Sequence, residues 1–372
     1  MRTKILIIGA LPPPYHGVTV FNYNLLNSKL GDHYDIIHLD TSDKRSLDNL
    51  GKMEPMNIVL GIKALMELII LCLRKDPDLI YLPISENKAY LRDGLFILFA
   101  KLFSGRKKVI AHAHGSYFRN YYNRTNWFMK RFVDFTIRKV DTIVVLGNRL
   151  KYIYEGWVKN IEVVPNGICL NPNLRGKFKR KRNDLIISFL GNLSKNKGIL
   201  DVITAMKIVI EKYPNIQCKI AGEWLKQKSN TKEVAFRFIK ENRLEDMIDF
   251  VGRVLGKEKE QFLVHSDIFV SPSHVEAQGI VNIEAMACGC PVISTKVGTI
   301  SETVINGKTG ILVEKKNPKA IAEAIIKLIE DPELRVKMGM AGRKRYEQYY
   351  TQEKNIENMI KVFEHTLKRE NA

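Results

Sequence analysis

The chain has 372 residues, 45% of them apolar, with five cysteines and a formal charge of +19. That length and apolar content fill two cores of ordinary size rather than one. The cysteines (Cys72, Cys169, Cys218, Cys288 and Cys290) are scattered and lack paired spacing, which excludes a disulfide framework or a zinc site and suits reduced thiols in a cytosolic protein.

In the first half, short Val- and Ile-rich runs bounded by Gly, Pro, Asn or Asp alternate with longer helix-period segments. The strand candidates are 4–10, 34–40, 79–84, 108–115, 142–147 and 161–167. The first apolar run, Ile5 to Ile8, follows Lys4 at once and is too short for a signal peptide, so the mature chain is expected to begin here. After it, LPPPYHGVTVF stiffens a loop with three prolines and sets Gly17 before a helix beginning near Val18, whose first amides suit an anion. A dinucleotide fingerprint would need G-x-G-x-x-G, and only Gly9 and Gly17 are present. The stretch 58–75 is the one candidate membrane span. Lys63 and Glu67 interrupt it at i,i+4 spacing, costly in lipid but easily paired on an exposed edge, so it reads as a helix of a soluble protein.

His112 and His114 stand two apart, on one face of the fourth strand at its end. No carboxylate follows at ligand spacing, so no metal is expected, and His114, before Gly115 in a turn, is the candidate hydrogen-bond partner for a substrate. Residues 101–139 hold ten basic residues against one acid, Asp134. Aromatics interleave with the cations, Trp127 and Phe128 among Arg119, Arg124, Lys130 and Arg131. Such a segment suits the headgroup layer of an anionic membrane. A solvated basic face over an aromatic core is the plain alternative, and single-stranded nucleic acid a third.

Residues 171–184, broken by Pro172 and Gly176 and rich in Lys and Arg, read as an exposed linker. The organisation expected is a domain over 1–170, the linker, a second domain over 185–350, and an amphipathic helix over 351–372 packing back on the first. Strand candidates recur at 185–192, 217–222, 248–253, 268–273, 291–296 and 309–314. Near-continuous apolar strands separated by helices indicate parallel sheets covered on both faces, here twice: an α/β protein with two Rossmann-like, doubly wound domains. Ligands of such sheets bind beyond the carboxyl ends of the strands. There Gly191 and Asn192 end one strand, Lys195 and Lys197 follow, and Gly198 opens a helix; a cation beside free amides makes a phosphate cradle without the Walker spacing. In SPSHVEAQGIVNIEAMACGCP, Glu276 falls in a loop and Glu284 in the second turn of a helix starting at about Ile280, with Gln278, Gly279, Ile280 and Val281 between them. Amides around Gly279 would carry a diphosphate while the two carboxylates accept hydrogen bonds from hydroxyls on either side of it, which is the layout of a nucleotide sugar.

With its continuation through GCPVISTKVGTISETV, this segment resembles the E-x7-E block of the retaining glycosyltransferases of family 4, and VVPNGI, FLGNLSKNKGI and FVGRV stand in the expected order. The resemblance implies the GT-B fold, two Rossmann-like domains facing a cleft, and transfer of a sugar from a nucleoside-diphosphate sugar to a hydroxyl of a lipid-linked or cell-surface polysaccharide precursor. It implies that Glu276 contacts the donor sugar, Glu284 the ribose, backbone near Arg253 and Val254 the base, and Lys197 the diphosphate. Asn192 stands where the family has a second cation, with Lys195 nearby; Gly17 matches the acceptor-side glycine loop and His114 the histidine near the reacting sugar. No metal or cofactor is implied, and Asp76-Pro77-Asp78, although a D-x-D, sits at a strand entrance as a turn would. The expected partners are the donor, a glycan or lipid-linked acceptor and an anionic surface at the inner face of the cytoplasmic membrane, not nucleic acid. An epimerase of the same fold and a basic nucleic-acid-binding protein are the rival readings. Sugar, base, linkage and oligomeric state are not legible in the sequence.

Overall fold

The computed structural model describes residues 2–13, 17–43, 55–103, 107–169, 185–225 and 230–369. Two compact units divide the chain, one formed by Met1–Asn166 with Gln352–Ala372 and the other by Gly167–Thr351. The expected linker, 171–184, lies outside the described residues.

In the first unit β1 (Lys4–Gly9), β2 (Asp35–Asp40), β3 (Leu79–Ile84), β4 (Lys108–Ala113), β5 (Thr142–Val145) and β6 (Ile161–Val163) form one sheet in the order β2-β1-β3-β4-β5-β6. Every adjacent pair is parallel. Both faces are covered, which is why Ile5, Leu6 and Ile7 are all fully buried although they alternate direction. Phe21 and Leu25 of the helix Gly17–Leu26 share a core with Ile356, Met359 and Phe363 of the closing helix Gln352–Lys368. Asn355 donates to the Pro165 carbonyl at 2.7 Å and Thr366 meets Thr142 at 2.9 Å, fixing that helix on the sheet of this unit.

The helices Pro55–Lys75, Tyr90–Phe103 and Trp127–Ile137 pack side by side in that order. Lys63 and Glu67 pair at 3.8 Å as the sequence spacing expects. The helix Pro55–Lys75 nevertheless buries only Ala64, Leu68 and Cys72, spaced four apart, and leaves half of its apolar residues exposed. Asp76 and Asp78 are held at the entrance of β3: Asp78 accepts the Lys4 amide at 2.8 Å and Lys107 lies 3.3 Å and 3.6 Å from the two carboxylates.

The second unit repeats the plan with β7 (Ile186–Leu190), β8 (Gln217–Ala221), β9 (Ile248–Gly252), β10 (Ile268–Ser271), β11 (Val292–Thr295) and β12 (Gly310–Val313) in the order β12-β11-β10-β7-β8-β9. The chain runs outward through β8 and β9, then crosses back to β10. The loops after β7 and β10 therefore part from neighbouring strands in opposite directions, the switch point at which such sheets hold ligands. Behind the sheet, the helix Ile280–Ala287 packs on Pro332–Tyr349. Gly339 permits that contact, since a Cβ there would stand 2.1 Å from the Gly289 carbonyl oxygen. Because backbone cannot step aside as a side-chain tip can, Gly339→Ala is expected to cost about 1–3 kcal/mol, read as a lowered denaturation midpoint; an unchanged midpoint would show that the helix slides freely.

Candidate functional site at the switch point of the second sheet

The loop after β7 runs through Gly191 (φ 151°) and Asn192 to the 3-10 turn Lys195–Lys197 and Gly198. Gly198 has φ 76°, and a Cβ there would fall 2.3 Å from the Pro272 carbonyl oxygen just past β10, so glycine lets the two loops touch. His274 reinforces the contact: its amide donates to the Asn196 carbonyl at 2.8 Å and its Nε2 meets the Asp201 carboxylate. Lys197 and Glu276 thereby form an ion pair across 79 residues of sequence, with side chains 32% and 18% exposed.

Beyond Glu276 the chain turns at Gly279, φ 75°, directly into Ile280–Ala287. No side chain caps this helix. Its first amides, around Gly279 to Val281, are the donors that a helix start leaves outside its own ladder, and the positive end of the dipole lies there. Gln278 is buried, whereas Ile280 and Val281 are half-buried. Glu284, one turn on, is paired with Lys259 of the helix Gly256–Val264 at 2.5 Å. The loop is braced from below by Thr299, whose amide and hydroxyl both donate to the Ala277 carbonyl, at 2.7 Å and 3.0 Å. Gly298, at φ 54°, leaves room for this: a Cβ would come within 2.1 Å of the Glu276 carbonyl oxygen and 2.4 Å of that of Ala277. Gly298→Ala is expected to move Glu276 away from Lys197 and cut ligand affinity at the switch point at least tenfold, measurable by calorimetry; wild-type affinity would mean that the loop tolerates the shift.

The remaining candidates differ in setting. Lys195 and Asn192 are exposed on the β7 loop. Arg253 and Val254 follow β9, where the Arg253 guanidinium lies 3.7 Å from Glu223. In the first unit Gly17 begins its helix, and close packing there is set by Gly9 and Asn22, whose side-chain amide donates to the Ala10 carbonyl at 3.0 Å. His114 lies just past β4 with its ring 3.9 Å from that of His112, and Phe21 meets both edge-on. His112 is fully buried and accepts or donates at 2.7 Å with the Tyr81 hydroxyl. Burial, then the neighbouring His114, holds its imidazole well below the ordinary range, so it stays neutral. Among the described residues no group of three or more His, Cys, Asp or Glu could hold a metal ion.

Of the basic and aromatic set, Trp127 and Phe128 are 74% and 68% exposed, beside exposed Arg124 and Arg131. Lys130 lies 5.7 Å over the Tyr122 ring. Arg119, by contrast, is turned inward: its guanidinium stacks 4.0 Å over Trp157 and donates to the carbonyls of Tyr152 and Glu155. These contacts tie it to residues 152–157.

Three residues escaped the sequence reading. Lys259 and His274 act through partners distant in sequence, although His274 stands within the block that drew notice. Glu86 accepts the Tyr117 amide at 2.8 Å and holds the turn after His114, where a Gly115 Cβ would sit 2.0 Å from its carboxylate. Burial pushes the Glu86 carboxyl up while the amides of Tyr117, Phe118 and Ser116 oppose it. A carboxylate two residues past the end of β3 was the only signal.

Residues 171–345 match the family model described as "Glycosyl transferases group 1". The capsular polysaccharide biosynthesis glycosyltransferase CapM of Staphylococcus aureus is 36% identical over 197 residues, 52% of this chain and 50% of that one. A D-inositol 3-phosphate glycosyltransferase of Paenarthrobacter aurescens is 30% identical over 218 residues, 56% and 53% of the two chains. The chain thus spans about half the length of these curated relatives. Solved structures match over nearly all of it: a glycosyltransferase from Rickettsia africae at TM-score 0.77 and 20% identity, covering 99% of this chain and 100% of that one. Anabaena Alr3699/HepE in complex with UDP-glucose matches at 0.73 and 18%, covering 98% and 100%. These neighbours establish the fold, that of GT-B glycosyltransferases.

Proposed function

We propose that this chain, whose residues 171–345 match the group 1 glycosyltransferases, moves a sugar from a nucleoside-diphosphate sugar to an acceptor hydroxyl with retention at the anomeric carbon. The observation that carries the reading is the Lys197–Glu276 pair beside the uncapped helix start at Gly279. A diphosphate over those amides draws the Lys197 ammonium to itself, and Glu276, released from the pair, accepts hydrogen bonds from donor-sugar hydroxyls. Glu284 accepts from the ribose. Negative charge grows on the departing diphosphate, and Lys197 together with the helix amides stabilises it without a divalent metal or a dissociable cofactor. The acceptor hydroxyl attacks from the face the diphosphate leaves, its oxygen bonding the anomeric carbon as the bond to the diphosphate breaks and its proton passing to the departing phosphate oxygen.

The acceptor proposed is a lipid-linked or cell-surface polysaccharide precursor, reached from the cytoplasmic side of the membrane. The name of the Staphylococcus aureus relative and the exposed Trp127 and Phe128 beside Arg124 and Arg131 support it. Screening nucleotide sugars for thermal stabilisation identifies the donor, because a ligand of the folded state alone raises the melting point. Uridine donors come first, as the Anabaena neighbour was solved with UDP-glucose. The donor found is then incubated with and without acceptor: transfer that requires acceptor is the expected result, and isomerised donor in its absence would make the chain an epimerase instead.

A further inference from the structure

The outer face of the helix Pro55–Lys75 takes no part in the site and is strongly apolar. Ile58, Val59, Ile62, Met66, Ile70 and Leu73 are each between 46% and 63% exposed. At the pitch of an α-helix they fall within an arc of roughly 120°, bordered on one side by Lys63, Glu67 and Arg74. The helix therefore has two apolar faces. One, through Ala64, Leu68 and Cys72, is spent on the core of the unit; the other is open. A helix covering a globular core keeps its solvent side polar, and a contiguous apolar stripe of this size marks a contact.

We propose that this helix is an in-plane membrane anchor, its outer face lying at the boundary of headgroups and acyl chains of an anionic bilayer. Length and composition would let the helix span, but its inner face is packed against the helix Tyr90–Phe103 and β2, and the Lys63–Glu67 pair stands at its middle. Spanning would pull Leu68 and Cys72 out of the core, whereas lying flat disturbs nothing. Charge selects lipid over a second copy of the chain. Lys63 and Arg74 outnumber Glu67 along the stripe, and the chain carries +19, so self-association would bring cations together while anionic headgroups neutralise them. The third helix of the same row, Trp127–Ile137, also exposes Trp127 and Phe128, ring types that settle at a membrane interface.

The inference rests on the membrane placement proposed above and gives it a surface. Its test is flotation of the full chain with vesicles of phosphatidylcholine and phosphatidylglycerol, comparing wild type with Ile62→Ser/Met66→Ser/Ile70→Ser. Binding by wild type and a loss of roughly tenfold or more in the triple variant is the expected result, since exposed sites leave the circular dichroism unchanged and the lost apolar contact acts on partitioning alone. A second readout needs no loss-of-function variant: a polarity-sensitive fluorophore on Ile62→Cys, in a Cys169→Ser background, should shift blue on adding the vesicles. Wild type that floats, with the triple variant floating equally and the fluorophore silent, overturns the anchor and leaves the membrane placement standing. Wild type that never floats overturns both. A dimer formed without lipid and lost in the triple variant replaces the bilayer with a second copy and overturns the proposal.

Discussion

Lys197→Ala is expected to lower kcat by about two to three orders of magnitude while leaving the fold intact, the scale seen when one preorganised donor is removed from a developing negative charge. The size follows from position. Lys197 is held at the end of a 3-10 turn by Gly198, which rests on the Pro272 carbonyl, and by the His274 amide on Asn196. Its ammonium therefore need not be recruited from solvent when the diphosphate departs. Glu276→Ala should fall as far, and the double variant little further than either single one, because two residues that exchange one ion pair for two ligand contacts act as a unit. Single-turnover kinetics with the donor from the thermal screen measure this. Near-normal rates for either variant, or additive losses in the double, would remove the basis of the mechanism.

Glu284→Ala should instead raise the donor KM about 10- to 100-fold with kcat changed far less, as expected for charged hydrogen bonds made equally in ground and transition states. Glu284 sits one helical turn from the amides at Gly279 and is only 13% exposed on its side chain, so its orientation is set before any ribose arrives. Lys259, 2.5 Å away, is a positioning residue for that carboxylate. Lys259→Ala should therefore raise KM less than Glu284→Ala does, and Lys259→Arg should restore most of the loss. If Glu284→Ala left KM unchanged and lowered kcat, the carboxylate would belong to the chemistry and not to the nucleoside end.

Much of the architecture was legible because it depends on local composition. Runs such as 4–10 and 268–273 are β-branched, apolar on both alternating faces and closed by Gly or Pro, and each became a buried parallel strand. The glycine between two glutamates also told its own story, since φ 75° at Gly279 and the helix after it follow from one residue without a Cβ. Arg119 and the stretch 58–75 were harder. A cation among aromatics has the same sequence whether it faces lipid or stacks on Trp157, and an apolar run with helical spacing has the same sequence whether its neighbours cover one face or both.

Chain order and side-chain type alone settled two sheets of parallel strands, a glycine turn opening a helix and two acids on either side of that turn. Which cation meets which acid was decided only in three dimensions. Lys197 reaches Glu276 because β7 and β10, distant in sequence, lie side by side in the sheet, and Lys259 reaches Glu284 because the helices after β9 and β10 meet. Strand propensity is a property of a few consecutive residues, whereas such pairings depend on strand order, and no local stretch encodes that.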